Sequence, residues 1–130
     1  MGALSRRILP SVSTARRNLC RLYGAIALIA LVATWWHNIA YISSGGKLVD
    51  VVSSAYANHV AGSLTNDLML LTIAALVLMV IESRRLGIRH SWVYIALCFL
   101  VAISVAFPLF LIARERRLAA LADGATAAQE

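Results

Sequence analysis

Hydrophobic and charged positions alternate in long blocks along the chain. Residues 22–42, centred on "YGAIALIALVAT" and closing on the interfacial pair Trp35 and Trp36, form a first apolar stretch of the length needed to cross a bilayer. A second apolar body covers only 68–81, fourteen residues that rise about 21 Å against a hydrocarbon core of about 30 Å. Its flanks must contribute, so the expected span is 63–83, and that choice draws Asn66 and Asp67 toward the membrane. A third stretch, 92–113, has twenty-two residues and no charge. The pattern predicts an all-α fold, a bundle of three transmembrane helices.

Between the first two spans, residues 43–65 open with a Ser-Ser-Gly-Gly turn. Leu48, Val52, Ala55 and Tyr56 then recur on one helical face, which predicts a short amphipathic surface helix. The chain divides into a cationic N-terminal tail (1–21), a membrane domain (22–114) and a small-residue C-terminal tail (115–130) that should fray.

Composition supports this division. Of 130 residues 61% are hydrophobic and only 14% charged, below the roughly 25% that a soluble domain carries, and the mean hydropathy is +0.79. A disordered chain is excluded on the same grounds. The net charge of +6 comes from cations that flank the spans, which fits an anionic lipid surface and argues against nucleic acid as a partner. With the N-terminus inside, Arg6, Arg7, Arg16, Arg17, Arg21, Arg84, Arg85 and Arg89 face the cytoplasm, and Lys47, Arg114, Arg116 and Arg117 lie outside. The "RERR" at 114–117 pulls against that orientation. The motif "SRRILP" evokes a twin-arginine export signal, but no small-x-small cleavage site follows, so the first helix is expected to stay uncleaved.

Candidate chemistry is sparse. Asp67 is a carboxylate at membrane depth, which asks for a partner or a purpose. Behind Thr65 and Asn66, it equally suits a helix N-terminus. Glu82, Arg84 and Arg85 form an interfacial charge collar in which Glu82 and Arg85, three apart, can pair, and Gly87 can close the helix. Asp67 and Glu82 stand about 22 Å apart along a helix and cannot act as one acid and base pair. Pro108 should bend the third span. His37, His59 and His90 lack metal-ligand spacing, Cys20 and Cys98 form no cluster, and no phosphate loop or nucleophile elbow is present. No metal or cofactor is expected. Small residues, among them Gly24, Ala27, Ala30, Ala74, Ala75, Ala102 and Ala106, suit close helix packing within the bundle, in a homo-oligomer or against another membrane protein.

The runs "AYANHVAGSLTNDL", "ESRRLGIRHSW" and "FPLFLIARERRL", in this order, resemble the small bacterial membrane proteins of domain-of-unknown-function family 2834 over residues 55–118. By that resemblance Asn58, Asp67, Glu82, Arg84, Arg85, Trp92, Pro108 and Phe110 fall on typical family positions, while His59 and Ser83 depart from a common proline and glycine. The resemblance implies architecture and no activity.

The leading expectation is a non-enzymatic accessory subunit of a bacterial cytoplasmic membrane, one that packs against another membrane protein or binds a lipid or other hydrophobic ligand. Asp67, Asn66 and Asn58 are its ligand or polar-network candidates. Two alternatives are a subunit acting on an isoprenoid-like lipid with Asp67 as acid, by analogy with small three-span carotenoid cyclase subunits, and a transporter component with Asp67 and Asn66 lining a polar path. The cyclase proline and paired-glutamate motif is missing.

Overall fold

The computed structural model describes residues 2–129, with side chains from Thr14 onward. Five helices account for nearly all of it: α1 (Gly2–Ser43), α2 (Asp50–Ala55), α3 (His59–Leu86), α4 (Ser91–Leu100) and α5 (Ile103–Ala127). No strand occurs among the described residues. Two helices have the length and composition to cross a membrane, at Thr14–Ser43 and at His59–Leu86. The short helix expected between them is present as α2.

The third expected span is different. The uncharged stretch 92–113 is not one helix but two, interrupted at Val101 (φ −116°, ψ −73°) and Ala102 (φ 179°, ψ 152°). Pro108 does not mark the break and lies inside α5. At the interruption the carbonyl of Leu97 accepts the amides of both Val101 (2.9 Å) and Ala102 (3.3 Å), and the Ala102 carbonyl accepts those of Val105 (3.2 Å) and Ala106 (3.1 Å). This doubling replaces part of the ladder that the break removes.

Side-chain contacts show that α5 folds back along α4. The rings of Tyr94 and Phe110 meet edge to face with centroids 5.8 Å apart, and these residues are equidistant in sequence from Ala102. Farther on, Arg114 Nε donates to Glu82 Oε1 at 2.8 Å and Arg117 Nε to the Leu86 carbonyl at 2.7 Å. Residue order is the same on both sides, so α3 and α5 run parallel with α4 between them in sense. The C-terminal cations therefore sit at the same end as Arg84 and Arg85, which corrects the expectation that they lie on the opposite side.

The core is the seam where these helices meet. Phe110, Met79 and Ala106 are fully buried, with Ala75, Leu86 and Val105 beside them. On α3 the shielded positions Thr72, Ala75, Met79, Glu82, Ser83 and Leu86 keep helical spacing along one face. The α1 stripe is Leu19, Cys20, Tyr23, Gly24, Ala27, Ala30 and Thr34, which packs on α5 and brings Gly24 close to the Ile112 side chain. Among the described residues no Cα of α1 comes within 8 Å of one in α3, so the two helices are not packed closely together.

Connectivity sets the direction of α1. If α1 ran with α5, Ser43 and His59 would lie about 60 Å apart at 1.5 Å per helical residue, and the fifteen intervening residues reach less even when fully extended. They are not extended, because turns at 44–50 and α2 shorten them. Hence α1 is antiparallel to α5.

The tail 115–130 was expected to fray, yet α5 stays helical to Ala127, and α1 is helical from Gly2. Arg114, Glu115 and Arg117 hold this part of α5 against the end of α3, which gives the following turns a nucleated helix to extend.

The fold-back has a direct test. Nitroxide labels on Trp92→Cys and Ala113→Cys, in a chain lacking Cys20 and Cys98, should lie within about 15 Å of each other by dipolar spectroscopy. A straight span would separate them by about 32 Å.

Candidate functional site

Two polar groups of residues stand out on α3, one near each end. At the C-terminal end the helix closes on Gly87 in the left-handed region (φ 63°, ψ 39°), and the amides of Gly87 and Ile88 both return to the Ser83 carbonyl. Glycine is favoured there because a Cβ raises the cost of that φ. Three residues later His90 also has φ 60°, a strained value for a side-chain-bearing residue, and the pair of left-handed residues turns the chain into α4.

This turn frames a buried ionic cluster. Glu82, with a side chain only 9% exposed, takes Arg114 Nε at 2.8 Å and lies 3.8 Å from Arg85 Nη1. Arg114 Nη1 reaches on to Glu115 Oε1 at 3.0 Å, and Glu115 is 11% exposed. One guanidinium thus serves two carboxylates from different helices, a charge-assisted arrangement stronger than neutral hydrogen bonds. The Arg85 contact is long, and its side chain is 75% exposed, so it adds little. Arg84 is exposed. The expected i,i+3 partner of Glu82 is present, but the main partner comes from thirty-two residues away, which spacing on one helix could not reveal.

At the other end the N-cap of α3 is Asn58, whose side chain accepts the Ala61 amide at 2.9 Å. Asp67 is therefore no cap; it lies eight residues inside the helix on an exposed face. The cap reading failed because α3 begins earlier than 63, at His59. Asn66 accepts the Tyr56 hydroxyl at 2.8 Å. The Tyr56 ring lies across Gly62, where a Cβ would approach its Cδ1 to 3.3 Å, so the lack of a side chain at 62 lets the ring settle on α3. Thr65 Oγ1 is within reach of the Ala55 carbonyl at 2.9 Å and the Ala61 carbonyl at 2.8 Å, which share its proton. These contacts dock α2 on α3 and use Asn58 and Asn66 in structural roles. Asp67 has no hydrogen bond or ion pair among the described residues.

The model of a protein family described as "Protein of unknown function DUF2834" matches residues 22–116, from the start of the apolar part of α1 through the ionic cluster of α5. The chain belongs to this family. The DUF2834 match thus takes in the first span as well as the segments in which the resemblance was legible. No curated protein and no solved structure matches.

Chemically, the two ends differ. The Glu82 cluster is internally satisfied, with no buried side-chain polar atom lacking a partner among the described residues. Asp67 alone offers an unspent carboxylate on an apolar helix. No group of three His, Cys, Asp or Glu side chains comes together among the described residues.

Arg114→Met should destabilise the fold by about 2 kcal/mol, because it leaves the Glu82 carboxylate buried without its best donor. Because Glu115 also loses its donor, recovery of most of that loss should need the triple variant Glu82→Leu/Arg114→Met/Glu115→Gln, with Glu82→Leu/Arg114→Met falling between the two. Thermal unfolding in a fixed detergent reads all three.

Proposed function

We infer that this DUF2834 protein is a non-enzymatic accessory subunit of a membrane, one that packs against another integral membrane protein through the N-terminal half of α3. The observation that carries the reading is Asp67, an exposed carboxylate without a partner among the described residues on a helix composed to cross a bilayer. Left facing lipid, a carboxylate costs about 2.5–3.5 kcal/mol at the centre of a span, and Asp67, six residues from the centre of 63–83, bears part of that cost. A donor from a second protein offsets this cost. His37 has about the same height on α1, but no hydrogen bond or ion pair joins it to Asp67 among the described residues, so the chain does not supply that donor.

Burial supports the membrane setting. Only 6% and 11% of the most apolar windows of α1 and α3 are buried within the chain, whereas a helix this apolar in a water-soluble protein belongs in the core. Val60, Leu64, Leu68, Leu70 and Leu71 of α3 and Ile39 and Ile42 of α1 are all exposed. In water these would form an aggregating surface; in lipid they are at home.

The fold-back also supports one orientation. With α4 and α5 entering and leaving at the same end, all eleven arginines belong to the end shared by the start of α1, the close of α3 and the charged part of α5, and Lys47 stands alone at the other. The positive-inside rule then has no opposing term, and we assign the arginine end to the cytoplasm, in a bacterial membrane whose anionic lipids suit it. The alternative roles as an isoprenoid-lipid enzyme or as a transporter would require Asp67 in an enclosed apolar pocket or a water path, and its exposed position favours neither.

Two outcomes test this. In intact cells Lys47→Cys should react with an impermeant maleimide and Asp123→Cys should not, each in a background without Cys20 and Cys98. In native mass spectrometry after gentle extraction, the wild type should retain a second polypeptide that Asp67→Leu loses by at least tenfold, with Asp67→Asn intermediate. A chain that is bare, or identically self-associated, in all three would overturn the subunit reading.

A further inference from the structure

Where the α3–α4 turn faces α5, the molecule has an open cavity of about 890 Å³. Its walls divide by chemistry. Arg89 from the turn and Arg116 and Arg117 from α5 stand at one end, while Tyr94, Leu109 and Ile112 supply an apolar wall. Leu109 precedes Arg116 by seven residues, so the apolar wall extends about 10 Å along α5 from the guanidinium level toward the middle of the hairpin.

The charge of this cavity is uncompensated. Arg89 and Arg116 have no ion pair or side-chain hydrogen bond among the described residues. Arg117 spends one donor on the Leu86 carbonyl, which is neutral, and keeps its charge. Glu82 and Glu115 do not line the cavity and are committed to Arg114. Asp123 is two turns farther along α5 and does not line the cavity. Three guanidiniums with no carboxylate make a site for an anion, and guanidinium forks match phosphate oxygens in pairs. An apolar wall leading away from them into the span region selects an anion that bears a hydrocarbon chain.

We propose that this cavity binds the phosphate of an anionic phospholipid, with one acyl chain laid along Tyr94, Leu109 and Ile112. Arg89 and Arg116 hold the phosphate from two sides, and Arg117, fixed by the α3 carbonyl, gives the third positive contact. A zwitterionic lipid brings its own ammonium into the same space and is disfavoured by the three cations. The site is separate from the α3 face around Asp67 and does not depend on what packs there.

The experiment is native mass spectrometry of the full-length chain, delipidated in detergent, with equimolar phosphatidylglycerol and phosphatidylcholine added. The wild type should carry at least fivefold more phosphatidylglycerol than phosphatidylcholine. Arg89→Gln/Arg116→Gln should bring the ratio to about one, and Arg89→Lys/Arg116→Lys should keep most of the preference. Ala120→Trp, which fills the cavity mouth and leaves every charge in place, should lower bound phosphatidylglycerol by at least fivefold. Circular dichroism compares the helix content of each variant with the wild type. Equal binding of the two lipids by the wild type, or an unchanged preference in both the glutamine and tryptophan variants, overturns the proposal. Displacement of the lipid by millimolar inorganic phosphate alone overturns the lipid assignment and makes this a site for a free anion.

Discussion

The contact between Arg114 and Glu82 fixes the register in which the second half of the chain lies against α3. Without it, residues 92–113 are long and apolar enough to cross a bilayer as one helix, which would carry Arg114 about 30 Å away from the end of α3. Folding back interrupts a helix at Val101 and Ala102, a costly event where backbone groups lack water. Against this stand a buried two-carboxylate cluster around one guanidinium, a second arginine on the open carbonyl of Leu86, and the burial of Phe110, Ala106 and Met79. Buried ion pairs are seldom large net contributors to stability. Their effect here is on register: with Glu82 and Glu115 both taken by Arg114, any slip of α5 along α3 would leave a carboxylate buried and unpaired.

This explains which parts of the architecture were legible in the sequence. The apolar stretch of α1, the presence of a short helix before α3 and the Gly87 stop each rest on neighbours within a few residues, and hydropathy, helical spacing and glycine chemistry read such signals well, although α2 takes in only Val52 and Ala55 of its expected face. The break at Val101 and Ala102 has no such mark. Its sequence, "FLVAIS", contains no glycine, proline or polar cluster, and the proline of the 92–113 stretch, Pro108, lies six residues beyond inside a continuous helix. The contact that accompanies the break joins Glu82 and Arg114, thirty-two residues apart, and a reading of local periodicity has no access to it. The same contact explains why the "RERR" segment disagreed with the charge count: it was assigned to the wrong end of a span that is not straight.

The polar residues of α3 divide on similar lines. Asn58 and Asn66 were singled out as ligand candidates, and both are occupied, one as a cap and the other by the Tyr56 hydroxyl. Asp67 was ambiguous between cap and working carboxylate because the start of α3 was set four residues late. An apolar count could not include His59, although Asn58 before it has the chemistry of a cap. With the true start known, the cap role passes to Asn58, and Asp67 stands out by the absence of any partner among the described residues.

Helix lengths finally show why the two halves of the molecule have different needs. The hairpin tip lies about 18 Å from the level of Glu82, three residues short of Asp67. Below that level α5 fills the space between α1 and α3, and a packed seam results. Above it no helix among the described residues lies between the two candidate spans, and apart from the α2 contact most of their side chains are exposed. A three-span bundle would have filled this gap with the upper half of its third helix. The fold-back moves that helix, with its three arginines, to the other end, so a single rearrangement gathers cations around the cavity proposed to bind an anion and leaves open the α3 face beside Asp67 on which the proposed partner would pack.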